Sequence, residues 1–208
     1  MKKIAVLMMV FVCLASVLSF AEDANDPQAA IEQLLQGNEI YLLSEDEDVS
    51  QGLRTETTLN GQAPYAVVIT CSDSRVPAEL IFDAGIGELF VIRTAGNVIG
   101  ELELGSIEYG AEHLHVPLVI VMGHTHCGAV DAALNGGAHG NIAAITDAIS
   151  KCLPENCDAR QAEILNVLNS IAIIRTSEIM LALEKSGETM ILGAIYDIES
   201  GRVEFLKD

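Results

Sequence analysis

Four short aliphatic runs, each separated from the next by a longer or helix-patterned stretch, constrain this chain more than any other feature. They are Tyr65 to Thr70, Glu88 to Arg93, Leu118 to Met122 and Met190 to Tyr196. Their centres are apolar at successive positions, not at every second one. That is the pattern of a strand covered on both faces. Helical periodicity is carried by Glu101 to Leu114, Gly128 to Leu134, Ile142 to Ser150 and Ala159 to Leu183. Strands alternating with helices predict a single α/β domain whose central, mostly parallel β-sheet is flanked by helices. Asp197 to Gly201 reads as a turn, and Arg202 to Leu206 as a last, hairpin strand. A length of 208 residues, 50% hydrophobic, suits one domain with a sizeable core. Aromatics are 4% and Trp is absent, so Ala, Val, Ile and Leu supply that core.

The N-terminus follows a different logic. Lys2 and Lys3 precede an apolar stretch from Ile4 to Leu18, and Ser19-Phe20-Ala21 offers small residues for cleavage. Residues 1–21 are therefore predicted to be a signal peptide, which places the mature protein outside the cytoplasm, in the periplasm or secreted. The competing reading is a membrane anchor. The stretch is short for a span and runs at once into Glu22 and Asp23, so no stable membrane insertion is expected after cleavage. Residues 22–61 are read as an N-terminal helical arm, opened by Asp26-Pro27, with a polar loop from Ser44 to Ala63. Residues 62–208 form the α/β domain. A formal charge of −19 repels phosphate backbones and argues against nucleic acid as a partner.

The candidate chemistry sits where strands end. Cys71 directly follows the first run, within Cys71-Ser72-Asp73-Ser74-Arg75. His124 and Cys127 follow the third, within Gly123-His124-Thr125-His126-Cys127-Gly128. Open α/β sheets put their sites beyond the carboxyl ends of strands, so the two segments can meet in one crevice. Two thiolates and one imidazole make a zinc set, and three protein ligands leave a fourth position open, as catalytic zinc requires. A Cys71–Cys127 disulfide is the main competitor in an exported chain. Asp73 could itself take the fourth position, and Arg75 could hold the same carboxylate away from it; a plain ion pair is the alternative.

With Val76 and Ala129 added, these two motifs resemble the β-class carbonic anhydrase family. The similarity continues through Glu79 to Asp83, Leu89 to Asn97, Gly105 to Tyr109, Gly193 to Asp197 and Gly201 to Val203. The resemblance implies reversible hydration of carbon dioxide to bicarbonate and a proton by a zinc-bound hydroxide. It implies one Zn2+ per subunit on Cys71, His124 and Cys127, with Asp73 and Arg75 as a gating dyad. Gln62, Phe90 and Tyr109 match the family's substrate pocket, and Gly128 follows the last ligand as expected. Family members are dimers or larger with sites at subunit interfaces, so a homodimer or homotetramer is expected. The three pocket residues need not come from the chain that holds the zinc.

Other readings stay open on sequence alone. The same fold could hydrolyse carbonyl sulfide or carbon disulfide, or the chain could be a non-catalytic exported zinc binder. Some relatives hold a regulatory bicarbonate with a Trp, which this chain lacks. Cys152 and Cys157 flank a four-residue loop and could close a disulfide, or stay as free thiols. His126 is given no ligand role, and His113, His115 and His139 read as surface or core residues.

Overall fold

The computed structural model describes residues 51–82 and 84–206. The expected signal peptide, the Asp26-Pro27 helix start and most of the N-terminal arm lie outside the described residues. The chain divides into two units, 1–52 and 53–208, and every strand among the described residues belongs to the second.

Five strands form one sheet: β1 (Ala66–Cys71), β2 (Leu89–Thr94), β3 (Leu118–His124), β4 (Met190–Tyr196) and β5 (Val203–Phe205). Their spatial order is β2-β1-β3-β4-β5. The first four are parallel, and β5 returns antiparallel beside β4. Every residue of β1 is buried, as its unbroken apolar run requires. β2 reads similarly in sequence, yet it is an edge strand and only half-buried.

Alternation along β1 divides the core between the two faces of the sheet. Val67 and Ile69 join Val119, Val121, Ile191 and Ile195 under three helices, α3 (Glu101–Glu108), α6 (Ala159–Ile174) and α7 (Glu178–Ser186). Ala66 and Val68 face the other way, with Ile120, Met122 and Ala194, toward the short helix α2 (Ala78–Ile81). A third cluster joins Cys71 and Cys127 to Val130, Ile149 and Ala162 on helices α4 (Gly128–Asn135), α5 (Ile142–Ser150) and α6.

Three local readings are corrected. The stretch from Ser44 to Ala63, read as a loop, contains helix α1 (Gln51–Asn60). Gly52 and a threonine-rich composition hide it, because both have low helix propensity. The span from Ala159 to Leu183 is not one helix: α6 and α7 meet at 95°. Ser177 starts α7 by accepting from Met180 N at 3.2 Å, and its hydroxyl donates to Glu108 Oε1 at 2.6 Å. The helix expected from Glu101 to Leu114 is α-helical only to Glu108 and then widens into a π turn, Tyr109–His113. Gly110 sits in that turn because a Cβ there would lie 2.6 Å from Val67 Cγ2. Among the described residues, no single helix is long and apolar enough to cross a membrane.

Candidate metal centre

β1 and β3 are neighbours, but the chain next goes from β1 outward to β2 and from β3 the opposite way to β4. Such a topological switch opens a crevice beyond the carboxyl ends of the two strands. Cys71 is the last residue of β1 and His124 the last of β3. Cys127 sits at the N-cap of α4, whose first residue is Gly128.

The two Sγ atoms and a ring nitrogen of His124 lie within 4.8 Å of one another, and all three residues are buried. Tetrahedral zinc with two sulfurs and one nitrogen spaces its ligand atoms roughly 3.5–3.8 Å apart, so a small contraction would seat the ion. The imidazole supplies an independent sign of fit. His124 Nδ1 lies 2.9 Å from the Thr125 carbonyl oxygen, which accepts its proton and fixes the tautomer. Nε2 is then left with a lone pair, buried and without a hydrogen-bond partner. A buried unpaired acceptor is costly unless a cation meets it. Cys71 and Cys127 are free thiols, not the competing disulfide.

The two sulfurs titrate as a pair. The Cys127 thiol beside it lowers the pKa of Cys71 against the cost of burial, and the backbone N–H groups of Gly96 (3.2 Å) and Asp73 (3.4 Å) add to the effect. Cys127 moves the opposite way, because its proton is held against Cys71 and because it is buried. One thiolate therefore forms readily, and the second needs a cation, which a divalent metal supplies.

Asp73 stands at the rim. Arg75 binds its carboxylate three times: backbone N to Oδ1 at 2.9 Å, Nε to Oδ1 at 3.0 Å and Nη2 to Oδ2 at 2.7 Å. The guanidinium holds this carboxyl well below the usual carboxylate range. Asp73 Oδ2 is also 4.0 Å from His124 Nε2, so the carboxylate borders the metal position while turned toward Arg75. Arg75 Nη2 donates to the His126 carbonyl at 3.3 Å, tying the two motifs together. His126 itself is exposed, at φ +58° between the ligands. His113, His115 and His139 are exposed as well.

The expected pocket residues do not gather around this cluster in the same chain. Phe90 pairs with Val67, whereas Cys71 pairs with Thr94. Four residues of strand, roughly 13 Å, separate the two rows. Phe90 and Tyr109 instead pack on each other, ring centroids 6.0 Å apart, and Tyr109 is 45% exposed. Gln62 is exposed in the segment entering the opposite end of β1. Cys152 and Cys157 are free thiols, donating to the carbonyls of Ile149 (3.0 Å) and Asp158 (3.5 Å). A cleft of about 410 Å³ runs along the outer side of the Cys127 loop, past His126, Asp131, Arg160 and Glu163. It is lined by Cys127 but by neither Asp73 nor His124, so it adjoins the metal position on the Cys127 side only.

Sequence reasoning missed the residues that hold the ligands in place. Arg93 donates through Nε to the Cys71 carbonyl at 3.1 Å and through Nη2 to the Asp73 carbonyl at 2.6 Å. Its position at the end of β2, in register with Thr70, was the available signal. Gly96, in the turn after β2, carries the N–H that meets Cys71 Sγ.

The family model for carbonic anhydrase matches residues 66–203. A carbonic anhydrase of Mycolicibacterium smegmatis is 36% identical over 192 residues, which cover 86% of this chain and 93% of that protein. Carbonic anhydrase 2 of Mycobacterium tuberculosis is 36% identical over 190 residues, covering 86% and 92%. Among solved structures, the β-carbonic anhydrase CcaA superposes with a TM-score of 0.76 at 26% identity, over 86% of this chain and 92% of that one. The β-carbonic anhydrase CafA of Aspergillus fumigatus gives 0.70 at 26% identity, over 86% and 89%. Similarity along most of both chains, with the same fold, establishes that this chain belongs to the β-class carbonic anhydrase family, whose reaction is the reversible hydration of carbon dioxide.

Proposed function

We propose that the chain hydrates carbon dioxide to bicarbonate and a proton at one zinc ion per subunit, held by Cys71, His124 and Cys127. The observation that carries this is the buried His124 Nε2, unpaired and facing two thiols at zinc-compatible separations. When bound, zinc makes a coordinated water acidic enough to ionise near neutral pH. The protein's own groups do the rest. Asp73 Oδ2 accepts a hydrogen bond from the attacking water and so orients it. Arg75, through its three bonds to Asp73, keeps that carboxylate from becoming a fourth ligand. Breaking the Asp73–Arg75 pair would let Asp73 close the site.

The substrate pocket is completed by a second copy of the chain, with Gln62, Phe90 and Tyr109 facing its partner's metal position. Their distance from their own Cys71, the exposed Tyr109 ring and the half-buried apolar edge strand β2 support this. The Gln62 amide would donate to an oxygen of the product anion, and the two rings would exclude water from a small neutral substrate. Residues 1–21 direct export and are removed after Ala21. Cys152 and Cys157, free thiols bonded to the Ile149 and Asp158 carbonyls in the structure, would have to give up those bonds to pair in that oxidising setting; two extra free thiols in the unreduced, denatured protein would refute the pairing. The reaction is tested by stopped-flow hydration with and without a zinc chelator. Hydration that persists in verified zinc-free protein would overturn the proposal.

A further inference from the structure

Helix α6 lies behind the metal centre and contributes no ligand, yet it presents two buried polar side chains to the turn that touches Cys71. Asn166 Nδ2 donates to the Gly96 carbonyl at 2.7 Å and reaches Asn97 Oδ1 at 3.5 Å. One helical turn further on, Ser170 Oγ donates to the Asn97 carbonyl at 3.0 Å. The turn so held is unusual. Gly96 (φ +67°) and Asn97 (φ +45°) are both left-handed, and Asn97 is 2% exposed. The N–H of Gly96 ends the chain of contacts on Cys71 Sγ at 3.2 Å.

We propose that Asn166 and Ser170 are positioning residues for the zinc centre: they clamp the Gly96–Asn97 turn so that its N–H stays aimed at the Cys71 sulfur. The inference rests on the zinc site proposed for Cys71, His124 and Cys127. Packing alone does not explain these side chains. Their neighbours on the same buried face are Val167, Ile171 and Ile174, so an apolar side chain would be the ordinary occupant of the Asn166 position. The amide pair also leaves Asn97 Nδ2 and Asn166 Oδ1 buried without partners. Each such atom carries an uncompensated desolvation cost, a penalty an apolar pair would avoid. The clamp offsets that cost by fixing a left-handed Asn and two carbonyls that no strand or helix bonds. An N–H held on the sulfur favours the thiolate and fixes its direction, as outer-shell donors do for metal ligands generally.

The test uses the zinc-loaded enzyme and its cobalt-substituted form. Asn166→Leu keeps the branched outline, in a bulkier side chain, and removes the donor; Ser170→Ala removes the second bond without adding bulk. Ile174→Val, on the same helix but away from the turn, controls for core loosening. Outer-shell changes of this kind cost metal affinity about 10–100-fold, so Asn166→Leu should release zinc to a chelator at least about tenfold faster. Ser170→Ala should do so by a smaller factor. Both should shift the thiolate-to-cobalt charge-transfer band, while Ile174→Val leaves rate and band at wild-type values. Wild-type rates and spectra in both clamp variants would overturn the inference while leaving the zinc reading intact. If Asn166→Leu does not fold, Ser170→Ala alone decides. A wild-type protein that binds cobalt without the thiolate band would overturn the zinc reading, and this inference with it.

Discussion

Replacing Gly96 with alanine tests the geometry around the metal centre in the metal-free protein, where zinc cannot mask the cost. Two costs arise from the structure. At φ +67° an L-residue pays roughly 1–2 kcal/mol for the left-handed conformation. The added Cβ would lie 2.9 Å from Ile149 Cδ1 and 3.0 Å from Ala129 Cβ. The Ile149 methyl is the end of a side chain and can swing. The Ala129 Cβ is fixed to helix α4, so part of the roughly 1–3 kcal/mol typical of overpacking must remain. Alanine also restricts the unfolded chain, returning about 0.4–1 kcal/mol. The net loss is about 1–4 kcal/mol, read from urea unfolding of chelator-treated protein by far-UV circular dichroism. Ile149→Val removes the Cδ1 that is struck, so in the double variant the losses should fall short of additive by about 0.5–1 kcal/mol. A loss below about 0.5 kcal/mol for Gly96→Ala would refute the geometric argument, since ordinary surface changes fall in that range. Strict additivity with Ile149→Val would refute the steric share alone.

Three further outcomes are expected. In metal-free protein, Arg75→Ala should raise the Asp73 carboxyl titration, followed by carbon-detected NMR, from its depressed position toward the ordinary value of about 3.9; the zinc-loaded variant should lose hydration activity while keeping zinc, because Asp73 is released toward the metal. Tyr109→Ala and Cys71→Ala should each be poorly active as homo-oligomers, the first with full zinc and the second without; co-refolded, they should regain part of wild-type activity if pocket and metal come from different copies, and no regain would argue against that. Ser177→Ala should cost about 1–2 kcal/mol in thermal or urea unfolding, from a lost helix cap and a Glu108 carboxylate left without its donor.

The strands were legible because they obey a rule with few exceptions: a buried parallel strand needs apolar residues on both faces. β1, β2, β3 and β4 lie where their aliphatic runs stand, and β4 matches the expected Met190–Tyr196 at both ends. Helices α4 and α5 were legible from periodicity. The break between α6 and α7 was not, because Ile173, Ile174, Met180 and Leu183 continue an apolar pattern across it. Only Ser177 distinguishes a cap there from one more helical residue, and its role depends on Glu108, 69 residues away. Helix α1 failed for the opposite reason: its composition is poor for a helix, and the segment forms one regardless.

The candidate metal ligands and the Asp73–Arg75 pair were readable because their chemistry is carried by residue type at close spacing, at the ends of recognisable strands. The groups that steer those ligands have no such signature. Arg93 reaches Cys71 and Asp73 through their carbonyls, and an Arg at a strand end can do many things. Gly96 acts through a backbone N–H, which no sequence displays. Asn166 and Ser170 are polar residues in an apolar helical stripe, and in the sequence they look like breaks in amphipathicity. Their partners lie 70 and 73 residues earlier in the chain, so only the fold brings them together. A sequence motif can thus identify which atoms would touch zinc. How firmly those atoms are aimed is decided by contacts between distant segments, and that difference is what the Asn166, Ser170 and Gly96 variants measure.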